Sequence, residues 1–257
     1  MEIFIISLAA FLTAMLTFFS GFGLGTLLTP VFVFFFPVDL AIALTGVVHF
    51  SNNLFKIALV GKHADRQVLL RFGIAAIVAS FAGAWLLLRI TVLPTLFEYR
   101  LWNNDYAVTP VKLVIAVLLM LFSALELIPA AQKVQFGRDK LAIGGVLSGF
   151  FGGLTGIQGA LRSAFLLRSG LSKEAYIATG VVIASLVDFT RLSVYASRYV
   201  SGNLSENLTL VGVAVLAAIA GSFAGRRLLK KITLRFVHNL VAAMLILIAA
   251  ALGAGLI

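Results

Sequence analysis

No charged side chain stands between Glu2 and Asp39, between Arg71 and Arg89, between Lys112 and Glu126, between Lys140 and Arg162, or between Glu206 and Arg226. A helix rises 1.5 Å per residue, so about 20 apolar residues cross the hydrocarbon of a bilayer. Charge-free runs of that order, recurring from Ile3 to Ile257, imply an all-α polytopic membrane protein. The chain is nearly all membrane, with no room for a soluble domain. Its 12% of charged residues is about half of what a soluble domain carries.

That setting decides how the charge is read. A formal net charge of +10 would suggest nucleic acid in a soluble protein, but here the basic excess belongs to cytoplasmic loops. No soluble basic domain exists to hold a nucleic acid. There is no cysteine, which excludes disulfides, thiolate metal sites and persulfide relays on the protein itself. The N-terminus has an acidic rather than a basic flank and runs directly into further membrane sequence, so residues 2–19 read as the first membrane helix and not as a cleaved signal.

Apolar length and breakers predict helices over 2–19, 25–36, 39–60, 67–90, 110–128, 141–157, 160–169, 173–197, 207–230 and 235–255. The helices at 25–36 and 160–169 are too short to span. The chain also repeats itself. TGVV at 45–48 recurs at 179–182, and SFAG at 80–83 recurs at 222–225. The first offset places Gly25 on Gly159, Ser51 on Ser185 and Phe55 on Phe189. Two membrane repeats are expected, 1–130 and 131–257, forming one compact transmembrane domain.

Charge orients them. Lys62, Arg66 and Arg71 follow the helix at 39–60, whereas its equivalent at 173–197 is followed by Arg198 alone. Conversely, Arg226, Arg227, Lys230, Lys231 and Arg235 follow the helix at 207–230, while the equivalent junction at 91–109 sets Arg100 against Glu98 and Asp105. Equivalent loops with opposite bias imply inverted topology, with both termini outside. Each repeat then consists of a broken helical hairpin followed by three transmembrane helices. Unwound backbone is tolerated inside a bilayer where protein or a wet cavity satisfies it, as in transporters built from inverted repeats. A parallel arrangement with four spans per half is the alternative.

The hairpin tips are SGFGLGT at 20–26 and GGLTGIQG at 152–159. Glycine there serves either a tight turn and close backbone approach or small-residue helix packing. Arg162 lies in the first turn of the helix at 160–169, where free N–H groups and the helix dipole favour an anion. Contact with an anion and a structural role tied to carbonyls are its two readings. His49, Asn52, Asn53 and Lys56 share one face of the helix at 39–60. Lys56 either faces the bundle or snorkels to the interface. His49 either shuttles protons or is a hydrogen-bonded structural residue. Asp188 and Arg191, three apart, either pair with each other or position the guanidinium for an oxyanion. No pattern of His and carboxylates makes a metal site.

The glycine-rich first segments SGFGLGT and SGFFGGLTGIQGALRSAFLL, the TGVV helices, the SFAG segment and the duplication together resemble the TauE/SafE sulfite exporter family of bacterial permeases. The resemblance covers essentially the whole chain. It implies a cytoplasmic (inner) membrane location and transport of sulfite or small organosulfonate anions, with the tips forming the central site. On this chain the site carries over to Gly21, Gly23, Gly25, Thr155, Gly156, Gln158 and Gly159. Arg162, Arg191, Asn52 and Asn53 are expected beside it, with His49, Lys56 and Asp188 in coupling or support. No cofactor and no metal is expected; the partners are a small anion and the lipid bilayer. Rocking of one repeat against the other would give alternating access. A passive anion channel is the alternative within transport. A membrane enzyme acting on a lipid phosphate is the alternative from another class, and it would need acids or an activated nucleophile near the tips, which hold no carboxylate.

Overall fold

The structure is a computed structural model, and it describes residues 1–17, 24–128, 135–199, 207–228 and 234–257. The helices are α1 (Glu2–Thr17), α2 (Leu24–Val33), α3 (Val38–Val60) and α4 (Arg66–Thr91), then α5 (Pro110–Leu127), α6 (Leu141–Thr155), α7 (Gly159–Leu166), α8 (Lys173–Tyr199), α9 (Leu208–Leu228) and α10 (Leu234–Gly253). Four segments are long and apolar enough to cross a membrane: Val38–His63, Arg66–Thr91, Lys173–Ala196 and Leu208–Gly225. With shorter apolar helices between them, this is a helical, multi-pass membrane protein.

Local chemistry sets the helix ends. The Thr109 hydroxyl accepts from the Lys112 N–H and Pro110 occupies the first turn of α5, a position where a missing N–H costs nothing. The Asp65 carboxylate accepts from the Val68 N–H at the start of α4. One turn later, at Leu69–Gly73, α4 widens to π-helical geometry. Helix α2 stops at Val33, three residues before the expected 36, with bonds from Phe35 and Phe36 N–H back to Phe32 O closing it as a turn before Pro37.

Between α4 and α5 the chain forms an antiparallel hairpin that helix periodicity does not anticipate, β1 (Phe97–Leu101) paired with β2 (Asn104–Val108). Trp102 and Asn103 turn it at φ +48° and +68°. The Tyr99 hydroxyl donates to Ala254 O beyond the end of α10, so the hairpin is fastened to the end of the chain. Its Arg100 and Asp105 form an exposed two-pronged pair at 2.7 and 3.0 Å.

The side-chain distribution is that of a protein in lipid. Leu70, Ile74, Val78, Phe81 and Trp85 are exposed along the outer side of α4, whereas His49, Asn52, Asn53, Lys56, Gln158, Arg162, Asp188 and Arg191 are all buried. Lys56 therefore does not snorkel. It is drawn inward, with 6% of its surface exposed.

Packing is reciprocal. The most extensive helix pairs are α4 with α6, α1 with α9, and α5 with α10. Glycine creates the first two seams. A Cβ added at Gly149 would stand 2.5 Å from Ala76 Cα, and one at Gly153 would stand 2.9 Å from Ser80 Cα. From the other side, a Cβ at Gly83 would stand 2.9 Å from Leu154 N. In the second seam the corresponding distances are 3.0 Å from Gly221 to Phe11 Cα and 3.1 Å from Gly225 to Met15 Cα. Small residues let backbones approach, and packing of this kind drives helix association where lipid removes the hydrophobic force. Adding the contacts of α9 with α3 and of α8 with α4, two groups emerge. One is α1, α2 and α3 with α9; the other is α6, α7 and α8 with α4. They meet where α3 lies on α8.

Candidate functional site

The second tip is built by a helix that has to stop. Helix α6 ends at Thr155, two residues before the expected 157, because Gly156 adopts φ +78°, a left-handed conformation that glycine accepts without steric cost. The turn is closed internally. The Gly156 N–H donates to Gly152 O at 2.9 Å, and the Thr155 hydroxyl donates to Phe151 O at 2.9 Å while accepting from the Ile157 N–H at 3.0 Å. Ser148 donates to Gln158 O at 3.4 Å. From there α7 begins at Gly159, with Arg162 N–H returning to Gln158 O.

Gly25, in the first turn of α2, meets this tip: a Cβ there would stand 3.1 Å from Gly156 O. The fold thus brings the first hairpin's return helix onto the second hairpin's turn. Gly21 and Gly23 lie outside the described residues.

Arg191 reaches the same place from α8. Its guanidinium fills space that two glycines leave open, with Nη1 2.6 Å from where a Cβ of Gly156 would be and Nη2 3.1 Å from where a Cβ of Gly46 would be. Arg191 and Asp188 are each 0% exposed, a burial that is tolerated only with close pairing. The carboxylate supplies it. Arg191 Nε donates to Asp188 Oδ1 at 2.9 Å, with Nη2 at 2.9 Å from the same oxygen.

The pair is not self-contained. His49 Nδ1 lies 2.6 Å from Asp188 Oδ2, and Asn53 Nδ2 donates to the same oxygen at 3.4 Å. His49 and Asn53 come from α3 and Asp188 from α8, so the network crosses the contact between the two helix groups. Asn52 turns elsewhere, its Oδ1 accepting from the Ser222 hydroxyl of α9 at 2.8 Å.

Arg162 is placed differently from Arg191. Its Nε approaches Gly180, 3.5 Å from where a Cβ would be, three helical turns before Arg191 along α8. There it is an electrostatic neighbour of both Lys56 and Asp188, so Arg162, Lys56 and Arg191 all act on the network around Asp188 and His49, with Arg191 the one lodged against Gly156.

Among the described residues, the Gln158 amide nitrogen and oxygen, Arg191 Nη1 and the hydroxyls of Thr26 and Thr45 are buried without a hydrogen-bond partner. Buried polar groups are nearly always satisfied, and the hydroxyls of Ser7 and Thr29 and Asn52 Nδ2 are without a partner in the same way. A planar guanidinium beside an amide and hydroxyls offers several donors to a small oxyanion. Asp188 has both oxygens occupied, and the Thr155 and Ser148 hydroxyls are engaged with backbone. Among the described residues no three His, Cys, Asp or Glu side chains are grouped to hold a metal ion.

The family model described as Sulfite exporter TauE/SafE matches residues 6–252. The chain belongs to the TauE/SafE sulfite exporter family. Neither curated proteins nor solved structures give a match. In this TauE/SafE member the site departs from a reading of sequence in what the repeated tetrapeptides do. Gly46 and Gly180, the glycines of the two TGVV copies, each open space for a buried arginine, Arg191 and Arg162 respectively. Ser222, from the second SFAG, holds Asn52. Tyr195 donates its hydroxyl to Gly153 O, tying α8 to α6 one turn beyond Arg191. Recurrence of the tetrapeptides was the signal that could have pointed to Gly46 and Ser222; nothing in the sequence singled out Tyr195.

Proposed function

We propose that this exporter-family protein carries sulfite or a small organosulfonate, with the anion held at the hairpin tips against Arg191 Nη1, the Gln158 amide and the Thr45 hydroxyl. The observation that carries this reading is the buried guanidinium lodged against Gly156, with donor capacity left over beside an amide that has no partner among the described residues. Gly25, Thr155, Gly159, Asn52 and Asn53 shape and support the site. Arg162 and Lys56 form a second cationic station on the approach, consistent with their burial on α7 and α3.

The same reading takes the two halves as inverted repeats in a bacterial inner membrane, with both termini outside. Reciprocal pairing of α1 with α9 and α4 with α6 supports a two-fold relation, and the opposed charge bias of equivalent loops supports inversion. The tight seams change what moves in alternating access. Each group takes one helix from the opposite half, so the rocking bodies are α1, α2, α3 and α9 against α6, α7, α8 and α4, hinged at the α3–α8 contact.

Radiolabelled sulfite flux in proteoliposomes tests this, with taurine, sulfoacetate and sulfate alongside. Wild type moves sulfite and shows counterflow, the signature of a carrier as opposed to an open channel. Arg162→Ala lowers the rate and retains transport, whereas Arg191→Gln abolishes it. Wild-type flux of Arg191→Gln in folded protein would remove the proposed site.

A further inference from the structure

We propose that His49 and Asp188 form a proton-binding site that couples anion movement to proton movement, one proton travelling with each anion. This rests on the reading that the anion binds at Arg191. The bond between His49 Nδ1 and Asp188 Oδ2 is 2.6 Å long, joins α3 to α8, and so lies at the contact between the two helix groups. Asp188 Oδ1 is shared with Arg191, the residue whose Nη1 faces the tip. One carboxylate therefore touches both the group that would hold the anion and the group that can hold a proton.

Charge balance links the two ligands. Asp188 and Arg191 neutralise each other in the empty site. The cations acting on the network are Arg191 and Lys56 toward His49 and Arg162 toward Asp188, with the Tyr195 hydroxyl beside Arg191 on the same helix. An anion at Nη1 draws on the guanidinium that balances Asp188 and leaves negative charge in excess where it is poorly screened. A proton on His49 restores the balance. The ring that donates from Nδ1 to Asp188 keeps Nε2 as an acceptor, 3.3 Å from Asn53 Nδ2. The incoming proton forms a second N–H at Nε2, and the Asn53 amide gives up its long bond to Asp188 Oδ2 and turns to present its oxygen. On release that N–H bond breaks, the proton leaves to water, and the amide turns back. Because coupling is reciprocal, a proton on His49 also tightens the anion.

The test uses the full chain in proteoliposomes, with membrane potential clamped and radiolabelled sulfite accumulated against imposed pH gradients. Sulfite itself gains a proton near neutral pH, so the comparison between proteins carries the result. Wild type shifts its steady-state ratio about tenfold per pH unit of gradient. His49→Gln, which can still bond to Asp188 and does not titrate, moves sulfite downhill at reduced rate with most of that pH response lost. Asn53→Leu, which leaves the His49–Asp188 bond in place and removes both the neighbour of Nε2 and a donor to Asp188 Oδ2, shifts the pH of half-maximal exchange by about one unit. A wild-type pH response in His49→Gln overturns the proposal, as does an unshifted profile in Asn53→Leu if the first variant fails to fold. Wild type that moves no sulfite overturns the transport reading as well, so the two failures are distinct.

Discussion

Replacing Gly149 by alanine puts one methyl group into the close seam between α6 and α4. The new Cβ would meet Ala76 O first and would stand 2.5 Å from Ala76 Cα, against the 3.4 Å at which ordinary contact begins, so α6 and α4 have to separate by at least about 0.9 Å. The obstructing atom is backbone and cannot rotate aside. Overpacking of this kind costs about 1–3 kcal/mol, and a gap of that size forfeits roughly a quarter to a half of each dispersion contact along the seam. Alanine's helix propensity returns about 0.8–1 kcal/mol, for a net loss of up to about 2 kcal/mol. Gly212 on α9 is the matched control: a Cβ there meets nothing within 4 Å, so Gly212→Ala gains the propensity term alone. Unfolding in mixed micelles, followed by circular dichroism, should place the Gly149→Ala variant about 1–3 kcal/mol below Gly212→Ala, the propensity term being common to both. If Gly149→Ala unfolds at or above the Gly212→Ala midpoint, close backbone approach is not what holds α4 to α6.

Arg191→Gln leaves Asp188 buried without its guanidinium and should lose about 3–5 kcal/mol; adding Asp188→Asn should restore much of that stability in the same titration while sulfite flux stays absent. Gly156→Ala combines a left-handed conformation, costing about 1–3 kcal/mol, with a Cβ 2.6 Å from Arg191 Nη1, so flux should fall more steeply than stability. Tyr99→Phe removes only the bond to Ala254 O and should lower stability by about 1 kcal/mol with wild-type flux, which would separate the hairpin from transport.

The helices were legible because charge-free length and glycine breaks are local properties. Both short helices lie within three residues of the expected bounds, and the break at Gly156 falls inside the expected tip at 152–159. The β-hairpin was hidden because its turn uses Trp102 at positive φ, a conformation that tryptophan gives no reason to expect, even though Asn103 beside it does. Asp188 and Arg191 could be paired from their spacing. The third member, His49, stands 139 residues away, and no helical periodicity relates residues on different helices. Arg162 drew attention by its distance along the chain from the tip, whereas Arg191 reaches that tip through a gap left by Gly46 and Gly156. Glycine's two meanings were likewise inseparable in sequence. Gly149 and Gly153 line a seam, while Gly156, three residues further, makes a turn.

The partnership of α1 with α9 also sets a schedule for biosynthesis. Phe11, whose backbone packs against Gly221, is made 210 residues earlier than that glycine, a wait of roughly 10–40 s at ordinary rates of translation. During that interval the first helix sits in the bilayer with its narrow face open to any neighbour that offers a small-residue surface. Until the eighth helix after it emerges, lipid or another helix has to cover that face. A chain stalled before Gly221 would present that open face to whatever shares the membrane.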